Sequence, residues 1–343
     1  MRSHLRTVVI VLVAAGLVAL FLRNVDFRHV LGAIIRARPE WLALSFGSMF
    51  VNLALRAWRW QCLLEPIGET SFGSAFRATA VGFAASTVLP ARAGEFIRPY
   101  FLSRQTNRVT ATGAFATVIL ERLLDVCTVL GFLAVYVFFF GSQLAQRDPE
   151  AFRLLKIGAI TSGGVAIGAL LTLFVLAADP QRLGRTMERL ERVLPSSLAG
   201  VIARVAEKFA HGLGAIRRPG SLVAAAFWSV PLWLSIAVGI WATAVAFELP
   251  ISFTGSFVII ALLSIGVSVP TPGAVGGFHF FFKYGATTFF GASDDAAVAA
   301  AIVLHLLSIG PALALGLLFA AQEGLNMTSM RRLADQAEHS STA

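Results

Sequence analysis

The sequence contains little charge and almost no cysteine. Only 14% of the 343 residues are charged, and the two cysteines, Cys62 and Cys127, form no Cys-x-x-Cys pair. The sequence therefore gives no sign of a disulfide framework. Low charge beside 57% hydrophobic residues and a mean hydropathy of +0.75 excludes an ordinary soluble domain.

The familiar motifs of nucleotide and metal chemistry are missing as well. The sequence has no Gly-x-x-x-x-Gly-Lys-Ser/Thr loop for ATP, no His-Glu-x-x-His and no Cys/His cluster with metal-ligand spacing. Asp294 and Asp295 form an acidic pair, but no donor-sugar motif flanks them. We therefore expect no cofactor and no enzymatic activity. Any transport would run downhill or be driven by an ion or proton gradient.

Long apolar runs occupy most of the chain, and several approach the ~20 residues that a membrane-spanning helix needs. They lie at about 7–22, 39–64, 112–140, 155–177, 221–247 and 296–321. Two further apolar segments are interrupted by Pro and Gly. The pattern predicts an all-α polytopic membrane protein with about six to eight transmembrane helices. We interpret the run at 7–22 as a retained first helix rather than a cleaved signal peptide.

The excess of positive charge lies mainly beside the apolar runs. The net charge is +9, and the most basic stretch is 179–220. Anionic lipid headgroups are therefore expected partners, and nucleic acid is not. The spacing of apolar residues in 179–220 favours amphipathic helices on the cytoplasmic membrane surface, with a solvated helical hairpin as the alternative. The positive-inside rule then places both termini in the cytoplasm, including a polar tail at 326–343, and puts 23–38 outside despite four arginines.

The two interrupted segments predict an inverted repeat. Segment 72–102 would enter and leave the membrane from the inside, and segment 253–290 from the outside, so the two re-entrant hairpins are oppositely oriented. We therefore divide a single membrane domain, 1–343, into a first repeat at 39–178 and a second at 221–321. Broken helices of this kind point to a transport site near the middle of the membrane.

The expected gating elements are the helix breakers at the hairpin tips. Backbone groups cannot remain unpaired in hydrocarbon, so breaks at depth are tolerated only beside protein or a water-filled cavity. The candidate gating residues are Pro90, Gly94, Pro270, Pro272, Gly273, Gly276 and Gly277.

Three charged residues lie at the first interruption. Arg92, Glu95 and Arg98 are costly inside a membrane, by roughly 2.5–3.5 kcal/mol each, and are expected to face a cavity or each other. A broken helix also presents free N–H groups to an anion. Arg92 and Arg98 would then clamp a phosphate. The alternative for Arg98 is an ordinary cytoplasmic loop.

Other polar residues are candidates for the same cavity. Asn52 and Arg56 share a helix face with Arg59. The alternative is that these three residues form a cluster at the membrane interface together with the neighbouring tryptophans. The sequence favours this alternative for Arg59. Glu121, Arg122 and Asp125 form either a structural ion-pair lock or part of a functional site, and both readings stay open. Glu95, Glu121 and Asp125 are candidate proton carriers.

The second half of the chain contributes His279 and Lys283, which lie one helical turn apart just after the second tip. We add both to the candidate substrate-binding residues. His305 lies in the last apolar run, where a lone histidine is more typical of packing.

Four motifs together resemble the lysylphosphatidylglycerol synthase transmembrane region family, also called flippase-like domain proteins. They are NLALRAWRWQCLLEPIG at 52–68, LPARAGEFIRPYFL at 89–102, ATVILERLLDV at 116–126 and PTPGAVGGFHFFF at 270–282. The resemblance implies a bacterial inner-membrane protein that handles aminoacyl-phospholipids or polyprenyl- or hopanoid-linked lipids. By motif it also implies headgroup binding by Arg92, Glu95 and Arg98, supported by Glu121, Arg122 and Asp125.

The resemblance leads to three hypotheses about function. Members that synthesise lysyl-lipids carry a soluble aminoacyl-transferase domain, and we do not expect that synthesis here. We favour a lipid flippase or scramblase for a lipid with an anionic or glycosylated headgroup. The alternatives are an accessory protein that recruits a lipid-modifying enzyme through 179–220, and a membrane glycosyltransferase.

Overall fold

The structure is a computed structural model that describes residues 26–89, 93–106, 108–142, 146, 148–178, 218–268 and 271–323. Several predictions therefore lie outside the described residues. They concern the first helix at 7–22, nearly all of the connector at 179–220, the tail at 326–343, and the residues Pro90, Arg92 and Pro270.

The first half of the chain contains six helices in the described residues. They are α1 (Phe27–Arg36), α2 (Pro39–Leu64), α3 (Phe72–Val88), α4 (Gly94–Gln105), α5 (Ala111–Phe139) and α6 (Pro149–Ala178). Local sequence explains where they begin. Pro39 occupies the first turn of α2, where a missing N–H costs nothing. The side chains of Ser71 and Thr110 accept hydrogen bonds from the first turns of α3 and α5.

The second half contains a similar order of elements with fewer described helices. Its described elements are α7 (Pro219–Ala246), α8 (Ser256–Ser268), a 3₁₀ turn (Pro272–Ala274), α9 (Gly277–Tyr284), a π turn (Gly285–Phe289) and α10 (Asp294–Gln322). By length and composition α7 and α10 suffice to cross a membrane, and α8 is a shorter apolar helix.

The predicted all-α class is confirmed, since the described residues form helices and turns without a strand. The interruptions also fall where the sequence places them, between α3 and α4 and between α8 and α9. The number of spans and the membrane placement of the two hairpins stay predictions.

Helices α2 and α7 pack antiparallel along their whole length. Residues early in α2 contact residues late in α7, and the order runs in reverse from there. The side-chain pairs are Ser45 with Thr243, Asn52 with Ser235, Arg59 with Ser229, and Glu65 with Ser221. These two long helices, one from each half, therefore run in opposite directions, as an inverted repeat requires.

Each interrupted segment folds back on itself through a pair of glycines. A Cβ on Gly94 would overlap the carbonyl oxygen of Gly82, and a Cβ on Gly277 would overlap that of Gly266. Only glycine allows backbones to approach this closely. We call the α3–α4 pair the first hairpin and the α8–α9 pair the second hairpin.

The outer ends of the two hairpins lie at opposite ends of the helix bundle. At one end, Glu69 before the first hairpin bonds Arg108 after it. At the other end, the ring of Phe253 before the second hairpin contacts Trp241 near the end of α7. Because α7 runs antiparallel to α2, the last residues of α7 lie at the opposite end of the bundle from the last residues of α2.

The tips of the hairpins meet inside the bundle. Gly273 in the second tip has φ +60°, and a Cβ built on it would lie 3.8 Å from the carbonyl oxygen of Thr87 near the first tip. Gly276, with φ +91°, precedes α9 and is equally suited to a backbone that other residues rarely adopt. Two of the predicted gating glycines, Gly273 and Gly276, therefore form a tight turn at the second tip, which lies against α3 of the first hairpin.

Candidate functional site

A fully buried arginine lies at the centre of the first half. Arg59 of α2 has no exposed side-chain surface, and its Nη1 donates to Asp125 Oδ1 at 2.6 Å and to Ser229 Oγ at 3.0 Å. Its Nη2 donates to Glu121 Oε1 at 3.4 Å. Arg59 thus joins α2, α5 and α7, and pairing with two carboxylates makes its burial tolerable.

A second buried arginine reaches the same carboxylates from the first hairpin. Arg98 of α4 donates from Nη1 to Glu121 Oε2 at 2.7 Å, and its guanidinium lies 3.7 Å from the ring centroid of Trp60. Trp60 is itself fixed by a bond from its Nε1 to Thr117 Oγ1 at 2.9 Å. The aromatic face and the carboxylate hold one side of the Arg98 guanidinium.

The remaining α2 candidates lie one and two turns away from Arg59. Arg56 Nε donates to Asn52 Oδ1 at 3.0 Å, and Arg56 Nη1 lies 3.9 Å from Asp125 Oδ2. Asp125 Oδ1 also accepts from Trp233 Nε1 at 2.9 Å. Asp125 is therefore contacted by side chains of both α2 and α7.

Arg122 and Glu95 form the more exposed rim of this cluster. Arg122 Nη1 lies 3.5 Å from Asp125 Oδ2, and Arg122 Nε lies 3.8 Å from Glu95 Oε1. Their side chains are 40% and 31% exposed, whereas Glu121 and Asp125 are buried. The rim is thus the side from which a ligand would reach the buried groups.

We call this network the arginine cluster, formed by Asn52, Arg56, Arg59, Glu95, Arg98, Glu121, Arg122 and Asp125. Its four arginines outnumber its three carboxylates. Two nitrogens of Arg98, Nε and Nη2, are buried and have no hydrogen-bond partner among the described residues. Buried donors of this kind are rare and call for a specific explanation. An anion that accepts from Arg98 would satisfy both.

A separate group of polar side chains lies at the second hairpin. The rings of His279 and His305 are 4.5 Å apart, and His305 Nε2 lies 2.8 Å from the Gly273 carbonyl oxygen. Lys283 Nζ lies 3.0 Å from Asp294 Oδ2. We call these four residues the histidine group. His279 and Lys283 of α9 thus contact His305 and Asp294 of α10.

Sequence reasoning placed Arg59 incorrectly. The tryptophans beside it favoured an interfacial position, but it is among the most buried side chains of the described residues. The alternative of an ordinary loop for Arg98 is wrong too, because Arg98 is 7% exposed and lies within α4. In both cases a buried carboxylate on α5 accounts for the burial.

Other members of the site were missed because they come from a different part of the chain. Ser229 and Trp233 on α7 bond Arg59 and Asp125, and Trp60 supports Arg98. The spacing of Asn52, Arg56 and Arg59 on one face of α2 was the available signal. It could not show which helix covers that face.

Within the described ranges, no group of three or more His, Cys, Asp or Glu side chains is arranged to hold a metal ion. The groups available for chemistry at the arginine cluster are its guanidinium groups and its carboxylates.

A helical bundle with buried ion pairs and long apolar helices defines the class: an all-α membrane protein. The sequence matches the model of the family described as "Lysylphosphatidylglycerol synthase TM region" over residues 7–316. The chain belongs to that family.

Two curated proteins from archaea are similar to the chain. "Glycosyltransferase AglD" of Haloferax volcanii is 25% identical over 314 residues, which cover 84% of this chain and 49% of that protein. "UPF0104 membrane protein MJ1595" of Methanocaldococcus jannaschii is 21% identical over 138 residues, covering 39% of this chain and 41% of that protein. The chain thus spans about half, or less, of the length of each of these relatives.

Proposed function

We propose that this protein is a flippase- or scramblase-like transporter for a lipid with an anionic or glycosylated headgroup in the cell's inner membrane. The proposal is supported most directly by two nitrogens of Arg98 that are buried without a hydrogen-bond partner among the described residues. Cationic side chains outnumber carboxylates around them. Hydrogen bonds to ionised groups are the strong ones, so a headgroup phosphate is a suitable acceptor.

In the part of the chain that the structure describes, the network around the two buried arginines leaves more unsatisfied nitrogens on Arg98 than on Arg59. Arg59 is bonded to Asp125, Glu121 and Ser229, and so serves to hold the carboxylates in place. Arg98 is bonded to Glu121 through one nitrogen only and keeps the others for a ligand. Arg122 at the rim would meet the headgroup first, and Arg92 lies a few residues before Arg98 in the chain.

The two hairpins supply the means of moving a headgroup. They open toward opposite ends of the bundle, and their tips are in contact beside Gly273. Alternate opening of one hairpin and closure of the other would expose the arginine cluster first to one face and then to the other. In this proposal the acyl chains remain in the bilayer throughout.

The test uses the full chain in liposomes that carry fluorescent phosphatidylglycerol or, in a parallel sample, fluorescent phosphatidylcholine. We expect phosphatidylglycerol to move between leaflets, measured by chemical quenching of the outer leaflet. Arg98→Ala should slow this movement by about tenfold or more, since a charge-assisted hydrogen bond is lost. Arg104→Ala is the matched control, because Arg104 is exposed on the same helix.

Arg98→Lys separates a binding role from a structural one. It keeps the charge but not the fork of donors, and should restore part of the movement if Arg98 binds the headgroup. A wild-type rate no higher than that of protein-free liposomes would refute the transport proposal.

A glycosyltransferase is the second candidate, favoured by the name of the Haloferax volcanii relative. It predicts a covalently altered lipid when the protein is incubated with membranes and sugar donors, detected as a mass increase. The transport proposal predicts lipids of unchanged mass on both sides of the membrane.

A further inference from the structure

A small cleft lies between α2 and α7 on the side of the second hairpin. It has a volume of about 70 Å³, which leaves room for several methylene groups. Its lining comes from α2, α7, α8, α9 and α10: Ser45, Ser48, Met49, Asn52, Ser235, Ile236, Gly239, Ile240, Leu263, Phe278, Leu304 and Ser308. We call it the α2–α7 cleft.

Although many lining residues are polar by name, the cleft presents mainly carbon. The hydroxyls of Ser48, Ser235 and Ser308 all donate to backbone carbonyls of their own helices. The Asn52 amide is bonded to Leu232, Ser235 and Arg56. With its polar groups occupied in this way, the cleft suits an apolar occupant better than water.

The cleft corresponds in position to the arginine cluster of the first half. Pro39 and Pro219 begin α2 and α7, and each follows an arginine. When Pro39 and Pro219 are taken as equivalent positions, α7 has Ile236, Gly239 and Ile240 where α2 has Arg56, Arg59 and Trp60. Three cleft residues on α7 thus occupy the positions that carry two arginines and a tryptophan of the first site on α2.

The hairpins and the long helices after them give the same correspondence. Counting from Gly94 and Gly277, which begin α4 and α9, matches Glu95 with Phe278. Counting from Ala111 and Asp294, which begin α5 and α10, matches Glu121 with Leu304 and Asp125 with Ser308. Phe278, Leu304 and Ser308 all line the cleft. The charged groups of the cluster are replaced there by apolar or neutral ones.

The two sites are joined through Asn52. Its amide lines the cleft, and its Oδ1 accepts a hydrogen bond from Arg56 of the arginine cluster. Asn52 and Arg59 are seven positions apart on α2, or about 10 Å along the helix. That is the scale of the glycerol segment that joins a lipid phosphate to its acyl chain. An amphiphile is the occupant that fits a charged site and a carbon-lined site at this separation.

We propose that the α2–α7 cleft binds one hydrocarbon chain of the lipid whose headgroup occupies the arginine cluster. The inference rests on the proposed function for the identity of the headgroup. It adds a second binding subsite and places the bound lipid along α2, with the headgroup near Arg59 and the hydrocarbon chain beyond Asn52. Met49 of α2 and Ile236 of α7 both line this subsite.

The test uses phosphatidylglycerol with a photoreactive diazirine in one acyl chain, incorporated with the full protein into liposomes. After illumination, mass spectrometry locates the label. We expect labelled peptides that contain Met49 or Ile236. Ile236→Trp fills the cleft and should lower the label at Met49 about tenfold, since several buried methylene contacts are lost.

Two further variants make the result decisive. Met49→Trp fills the cleft from α2 instead of α7, and the label at Ile236 should fall by a similar factor. Val51→Trp is the matched control, because Val51 is 53% exposed on the same helix, and the cleft label should be unchanged. Wild-type protein without label in the cleft, or tryptophan variants that keep it, would overturn the inference.

The outcome is separable from that of the proposed function. Label in the cleft without any movement of phosphatidylglycerol between leaflets would leave the chain subsite standing and remove the transport proposal. Movement that depends on Arg98, with label absent from the cleft, would do the reverse.

Discussion

The two halves of the chain build similar backbones around different chemistry. In each, a long helix starting at an Arg-Pro pair leads to a hairpin closed by a glycine contact and then to another long helix. The first half places four arginines and three carboxylates at the junction of these elements. The second half places isoleucine, leucine, phenylalanine and a small cleft there.

This difference shows that a similar backbone arrangement does not require similar side chains at the site. Glycine positions control how closely the hairpin limbs approach, and they are matched between the halves. The side chains that face the junction are not matched, and we propose that they decide whether it binds an anion or a hydrocarbon chain. The following predictions test this separation, from the largest expected effect to the smallest.

Removing the central arginine should destabilise the first half more than any other change considered. Arg59→Met leaves Glu121 and Asp125 buried without their shared partner, and we expect a loss of about 3–5 kcal/mol in unfolding free energy. The measurement is a denaturation titration in detergent. Arg108→Met, which breaks only the exposed pair with Glu69, should cost less than about 1 kcal/mol. Equal losses for the two variants would contradict the assigned role of Arg59.

The hairpin glycines should respond alike in the two halves. A Cβ on Gly94 or on Gly277 overlaps a backbone carbonyl, so Gly94→Ala and Gly277→Ala should each cost about 3 kcal/mol. Gly131→Ala is the control, since nothing lies near its Cβ position and a helical alanine is preferred. The same titration measures all three. A large difference between the two hairpin variants would break the structural correspondence of the halves.

Replacing the tryptophan under Arg98 should have a smaller effect, confined to the first half. Trp60→Leu removes the cation–π contact with Arg98 and the bond to Thr117, at a cost of about 2 kcal/mol. Trp60→Phe keeps an aromatic face and should cost less. Ile240→Leu, at the matched position of α7, should be nearly neutral. A Phe variant as unstable as the Leu variant would argue against the cation–π contribution.

The ion pair of the second half should matter least. The Lys283 side chain is only 11% exposed, but the Asp294 carboxylate that Lys283→Met leaves behind is 41% exposed and can be hydrated, so we expect a cost of about 1 kcal/mol or less. Lys283→Arg is the control that keeps the charge. If Lys283→Met is as damaging as Arg59→Met, then the second half contains an electrostatic centre as essential as that of the first.

Much of the fold could be predicted from local sequence. Apolar length located α2 and α10, and Pro and Gly located both interruptions, because these signals act within a single helix. The charged residues of the first hairpin were recognisable as unusual, since charge inside a membrane is costly. The structure brings seven of the predicted residues into one network: Asn52, Arg56, Glu95, Arg98, Glu121, Arg122 and Asp125.

The position of Arg59 and the composition of the second half could not be read in the same way. Whether Arg59 snorkels to the interface or is buried depends on Asp125 and Ser229, which lie on helices far away in sequence. His279 and Lys283 were added to the substrate-binding candidates because they are polar and lie one helical turn apart just after the second tip. Their contacts with His305 and Asp294 are set by the packing of α9 on α10.

The contact between the hairpin tips has a mechanical consequence. Gly273 rests near the backbone of Thr87, and His305 of α10 is bonded to the Gly273 carbonyl oxygen. In the proposed transport cycle, an inward movement of one tip would therefore push against the other. Opening both faces at once would require this contact to break, so the same turn would also limit the leakage of ions.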